Sequence, residues 1–171
     1  MKYKYVLGID PSGNFNEGKG TTGCCLFNAE KDCIVETKSI YANSYTTQHD
    51  YWQAVLMYIT KVAYKYKSII VIIEDYLLYA TKASSQINSK METPKLIGIL
   101  EYYCEECNIP TRLQPAHLVK NRWDNNILLH KGYVIQKGRQ LRTPQNKPID
   151  RHATDAIRHA VHYSTFINKK G

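Results

Sequence analysis

The chain has 171 residues and a formal net charge of +8, from 23 Lys and Arg against 15 Asp and Glu. That length suits one domain, residues 1–171, with a sizeable core, and no window approaches the roughly 18 apolar residues of a membrane span. The lead into the first apolar run is short and rich in Lys and Tyr, unlike a signal peptide, so the expectation is a cytoplasmic protein whose excess positive charge meets a polyanion.

Residues 3–9 alternate and then run apolar, which predicts a first strand. It stops on Asp10, just before the turn-forming Pro11-Ser12-Gly13. A carboxylate at the end of a buried strand is costly unless it is paired. Asp10 is therefore either a turn residue or the ligand of a metal ion or a basic side chain. Residues 20–26 and 33–41 predict two more strands joined by a turn over 28–32, giving an antiparallel meander. Cys24 and Cys25 are adjacent and make a poor metal-ligand pair.

Residues 49–66 follow a helical period, with Trp52, Val55, Leu56, Ile59, Val62, Ala63 and Tyr66 on one face. The run "SIIVIIED" at 68–75 is apolar without alternation, so it predicts a strand covered on both faces. It too ends on acids, Glu74 and Asp75, and successive side chains point to opposite faces. A helix is expected over about 93–107, with Leu96, Ile99, Leu100 and Tyr103 as its stripe. Its lone CxxC, Cys104 and Cys107, reads as two buried or half-buried thiols, because five cysteines form neither a disulfide framework nor a four-ligand zinc set here.

A short strand at 111–114 precedes a helix that starts at Pro115 and ends by Gly132. From Lys131 to Arg151 the chain is basic and broken by Gly132, Gly138, Pro144 and Pro148. Lys137, Arg139 and Arg142 make this segment a candidate phosphate contact. Asp150 caps a last helix running to about Phe166. A meander followed by alternating helix and strand implies an α/β fold with a mixed five-stranded sheet and helices on both faces.

If the strands ending on Asp10 and Glu74 are parallel neighbours, both carboxylates meet at one sheet edge, where α/β folds build sites. The last helix reads "DRHATDAIRHA". His152 and Asp155 are three apart and share a face near its start, while Ala153, Ala156, Ile157, Ala160 and Val161 form the docking face. His159 and His162 continue the polar face about 10 Å farther along, as a solvated or DNA-facing row. Three carboxylates and an imidazole make a set of hard oxygen ligands plus one nitrogen, which suits Mg²⁺ or Mn²⁺ better than zinc or copper. Two such ions would support phosphodiester hydrolysis, with Asp10 as the bridging carboxylate.

The segments "GIDPS…GTTG", "IIVIIED" and "HATDAIRHA" together resemble the RuvC family of Holliday junction resolvases, in the ribonuclease H-like superfamily. The resemblance runs through nearly the whole chain in order and spacing. It implies a ribonuclease H-like fold and a homodimeric, Mg²⁺-dependent endonuclease with two ions per site, Mn²⁺ substituting. Such an enzyme nicks four-way DNA junctions symmetrically. Asp10, Glu74 and Asp155 match the family's catalytic acids, and His152 falls where the family has an acid or a His. Leu77 stands where the family places a base-contacting aromatic, which makes its neighbour Tyr76 the candidate, with Tyr79 also near. "LVKNRW" resembles the family's basic helix, which implies phosphate binding by Lys120 and Arg122. The loop 11–20 and the segment 123–149 depart from the family pattern, and a composition rich in Lys, Ile, Asn and Tyr suggests a phage of a low-GC host. Two other readings stay open: a nuclease of RNA–DNA hybrids or flaps, and a non-catalytic nucleic-acid binder on the same fold.

Overall fold

The computed structural model describes residues 2–16, 18–76 and 91–169. Three strands come first: β1 (Tyr5–Asp10), β2 (Thr21–Asn28) and β3 (Cys33–Tyr41). Helix α1 (Gln48–Lys65), capped by the Thr47 side chain on the Asp50 N–H, leads to β4 (Ile69–Asp75). Helix α2 (Glu92–Glu106) is followed by β5 (Thr111–Pro115). Two short helices, α3 (Ala116–Lys120) and α4 (Asn125–His130), precede a small hairpin of β6 (Ile135–Lys137) and β7 (Gln140–Arg142). The last helix, α5 (Arg151–Phe166), is capped by Asp150, whose carboxylate accepts from the Ala153 N–H.

The main sheet has the order β3-β2-β1-β4-β5. β1, β2 and β3 are antiparallel, whereas β1–β4 and β4–β5 are parallel, as the mixed-sheet reading requires. The expected helix from Pro115 to Gly132 is instead α3 and α4. The break is local: Asp124 leaves the helical conformation and caps a new start at the Ile127 N–H. The segment expected to be irregular contains the β6–β7 hairpin, turned at Gly138 with φ +62°. Strands of three residues carry too little apolar alternation to be read from sequence.

Side-chain alternation assigns each central-strand residue to one of two cores. Val6, Cys25, Phe27, Ile70 and Ile72 pack with α5 and with Trp123 and Leu128. Leu7, Ile9, Cys24, Leu26, Val71 and Ile73 face α1 and α2. The adjacent Cys24 and Cys25 thus fill opposite faces as small buried side chains. Cys104 is buried and Cys107 exposed. On α1 the buried set also includes Tyr51 and Tyr58, which hydrogen-bond Thr22 and Glu36 and so bring their hydroxyls inside with partners.

Two glycines let α5 lie directly on the sheet. A Cβ on Gly8 would stand 2.2 Å from the Ala156 carbonyl oxygen, and one on Gly23 would stand 2.1 Å from the His152 carbonyl carbon. Gly23 pairs with Asp10 across the β1–β2 ladder. The start of α5 is thereby brought against the end of β1.

Candidate metal centre

Strand parity decides what shares the α5 face. Val6 and Gly8 on β1 face α5, so Asp10 does as well; Ile70 and Ile72 on β4 face it, so Glu74 follows. The parallel register pairs Ile9 with Ile73, which puts Asp10 and Glu74 level at one end of the sheet. Asp155, one turn into α5, completes the group. One carboxylate oxygen from each of Asp10, Glu74 and Asp155 lies within 4.8 Å of the others. Asp75 falls on the opposite parity, as expected.

Asp10 and Asp155 are buried, at 7% and 2% exposure, so their charges need partners. Basic side chains surround the three acids. The His152 Nδ1 lies 2.7 Å from Asp10 Oδ2. The Lys120 ammonium donates to Glu74 Oε1 at 3.0 Å and reaches Asp155 Oδ2 at 3.1 Å. His159 Nε2 lies 2.9 Å from Glu74 Oε2. The Arg158 guanidinium donates to Asp155 Oδ1, to the Trp123 carbonyl and to Asn125 Oδ1, tying α5 to the α3–α4 junction.

These contacts set the electrostatics. Burial pushes the Asp10 carboxyl up, and the charges of Glu74 and Asp155 add to this against the pull of His152. For Glu74 burial also acts upward, but the His159 hydrogen bond and the Lys120 charge outweigh it and hold the carboxyl below its ordinary value. The Asp10 hydrogen bond raises His152. Lys120 is raised as well: burial opposes its charge, yet Glu74 and Asp155 outweigh that cost.

The donor set fits a divalent ion. It offers only oxygens within the triad, the preference of Mg²⁺ and Mn²⁺. Its capacity for positive charge is visible in Lys120, whose ammonium is shared by two of the three carboxylates. Lys120 and Arg158 bring two cationic side chains to the three carboxyl groups.

The overall architecture matches solved structures at low sequence identity. Thermus thermophilus RuvC in complex with a Holliday junction substrate superposes with a TM-score of 0.67 at 13% identity, over 99% of this chain and 97% of that one. A second structure of Thermus thermophilus RuvC gives 0.66 at 13% identity, over 97% and 96%. The chain has a RuvC-like, ribonuclease H-like fold. The large terminase nuclease of the thermophilic phage G20c is similar at a TM-score of 0.50 and 12% identity, over 96% of this chain and 83% of that one. No family model matches the sequence, and no curated protein matches it. Among the described residues, no helix is long and apolar enough to cross a membrane.

Within the RuvC-like fold, Asp10, Glu74 and Asp155 come together and His152 adjoins them through Asp10. Lys120, expected at phosphate, is directed into the acid cluster. The Arg122 guanidinium lies over the Phe166 ring, 4.4 Å from its centroid. Tyr76 is partly buried against the α1–α2 core, while Leu77 and Tyr79 lie outside the described residues. Lys137 and Arg139 are exposed on the β6–β7 hairpin. Arg142 is engaged within it, donating to the Asn146 carbonyl and to Gln140 Oε1.

The polar row on α5 is a correction. His159 is fully buried and His162 nearly so, the latter against the Phe166 ring. Helix α5 lies across the sheet with α3 beside it, so this face meets protein instead of solvent. Sequence reasoning also passed over Arg158 and Gln114, and it placed His159 in a solvated or DNA-facing row instead of beside Glu74. The signals were present: Arg158 and His159 sit three and four residues after Asp155, and Gln114 is the penultimate residue of β5 as Glu74 is of β4. In the ladder Gln114 pairs with Glu74.

Proposed function

We propose that this chain is a Mg²⁺-dependent endodeoxyribonuclease that cuts branched DNA, four-way junctions foremost, by phosphodiester hydrolysis. The observation that carries this reading is the convergence of Asp10, Glu74 and Asp155 from two parallel strand ends and a docked helix, ringed by bases. A non-catalytic binder has no reason to hold three mutually repelling carboxylates together. The RuvC-like fold, found in a structure bound to a Holliday junction, supports the branched-DNA substrate.

Asp10, Glu74 and Asp155 are the residues that would hold the metal, two ions per site, with Mn²⁺ able to substitute. The bound metal supplies Lewis-acid activation of the phosphate and of the attacking water. His152 uses Nδ1 on Asp10, so Nε2 is its nitrogen available to accept a proton. Its side chain is about one-third exposed, which gives the imidazole access to water. Lys137 and Arg139, exposed on the hairpin, would bind DNA phosphates, with Arg122 and Tyr76 as further candidates, while Lys120 and Arg142 are engaged within the protein. Two nicks in one junction require two sites, and a homodimer supplies them.

The test is cleavage of a labelled immobile four-way junction in Mg²⁺, beside matched duplex, flap and RNA–DNA hybrid. Paired nicks in the junction, absent in Asp10→Asn and Glu74→Gln, are expected. Both variants should keep junction binding. Preferential cutting of the hybrid or flap would retain the metal site and replace the substrate. Cleavage that survives both substitutions would remove the site.

A further inference from the structure

Behind Glu74 lies a buried polar chain that the proposed reaction does not use. His159 is fully buried, and its Nε2 lies 2.9 Å from Glu74 Oε2. On the far side of the ring, Gln114 Nε2 lies 2.9 Å from His159 Nδ1 and donates to the His159 carbonyl at 3.2 Å. Gln114 is itself buried. This connects the ends of β4 and β5 with α5 through one amide and one imidazole.

The Gln114 amide has a preferred orientation. Its nitrogen faces a backbone carbonyl, which only accepts. Turning the amide over would set two acceptor oxygens against each other and bury an NH₂ where Oε1 now sits. At that position Oε1 has no partner among the described residues. An orphaned carbonyl oxygen is the smaller cost. With the NH₂ toward the ring, Nδ1 must accept, and the ring proton belongs on Nε2, aimed at Glu74 Oε2. The other Glu74 oxygen, Oε1, faces Lys120 and the acid cluster.

We infer that Gln114 and His159 are positioning residues for the metal centre: together they fasten Glu74 Oε2 and leave Oε1 as the single oxygen it presents to the metal. This rests on the metal-site reading above. Partners behind a metal ligand fix its orientation, and their loss typically costs about 10–100-fold in metal affinity. With a plain apolar residue in place of the imidazole, Glu74 would keep the Lys120 contact at Oε1 and lose its partner at Oε2.

Two measurements test this. Long-range ¹H–¹⁵N correlation of the histidine rings in the metal-free wild-type protein should show His159 with its proton on Nε2 and a bare Nδ1. A proton on Nδ1 would overturn the assignment, and this readout needs no variant. Calorimetric titration of the metal-free protein with Mn²⁺ should then show about 10–100-fold weaker binding for His159→Leu, largely restored in His159→Gln, which keeps a donor toward Glu74. Equal Mn²⁺ affinity in folded His159→Leu and wild type would overturn the positioning role. Absence of Mn²⁺ binding by the wild type would instead remove the metal reading and the role with it, while leaving the ring-proton result intact.

Discussion

Gly23 and His152 touch through their backbones: any side chain on Gly23 would start 2.1 Å from the His152 carbonyl carbon. Because Gly23 is paired with Asp10, this contact fixes how near α5 comes to the first catalytic candidate. The Asp10–His152 hydrogen bond at 2.7 Å depends on that approach.

Gly23→Ala should therefore displace α5, lower Tm by several degrees and suppress junction cleavage. Differential scanning calorimetry and the cleavage assay check it. Gly98→Ala is the contrast, because a Cβ there meets nothing within 4 Å and the residue lies inside α2. That change should stabilise the protein by about 0.5–1 kcal/mol. A Gly23→Ala protein as stable as wild type would show that the helix shifts at little cost.

Lys120 neutralises two acids at once, at 3.0 Å and 3.1 Å. Lys120→Met should lower Tm in chelator, since Glu74 and Asp155 lose a counter-charge. Added Mg²⁺ should then raise Tm more in the variant than in the wild type. Thermal melts with and without Mg²⁺ read both effects. Equal Mg²⁺-induced shifts would mean that the ammonium and the metal do not share the cluster.

The hairpin arginines and lysine should separate by role. Lys137→Ala with Arg139→Ala should weaken DNA binding and reduce the salt slope by about two counterions, measured by anisotropy across a salt series. Arg142→Ala should instead lower Tm, because its guanidinium braces Asn146 and Gln140. An unchanged slope in the double variant would place the DNA path away from the hairpin.

Asp150 supplies a pH-dependent part of stability. Burial acts to raise its carboxyl, but hydrogen bonds from the Ala153 N–H, Ser39 and Tyr41 outweigh that and hold it below its ordinary value. Its contribution is therefore full above the unfolded-state pKa and is lost as pH falls through the folded-state pKa. Asp150→Ala should cost about 1 kcal/mol at neutral pH and less in acid. Urea melts across the acid range check the sign. A penalty that grows on acidification would contradict the assignment.

What the sequence revealed followed from period and position. The unalternating run at 69–73 could only be a doubly covered strand, and its terminal Glu74 then fell level with Asp10. Asp155 was legible from its place three residues after His152, opposite an alanine-rich docking face. The remaining features depend on tertiary packing. His159 and His162 looked like solvent-facing residues because the polar face of a helix carries no mark of what covers it. Lys120 looked like a phosphate ligand because only the docked α3 shows that it points at Glu74 and Asp155. The hairpin at 135–142 is too short for either periodicity to register.

Asp10 and the histidine it contacts are 142 positions apart in the chain, and Glu74 comes from between them. Assembling a site across such separation carries the entropic cost of closing long loops before its contacts can form. A chain synthesised only as far as β5 holds Asp10 and Glu74 without Asp155, and a partly unfolded one holds all three without their arrangement. For a protein proposed to break DNA, the topology itself acts as a safety catch: reactivity arrives only with the final helix.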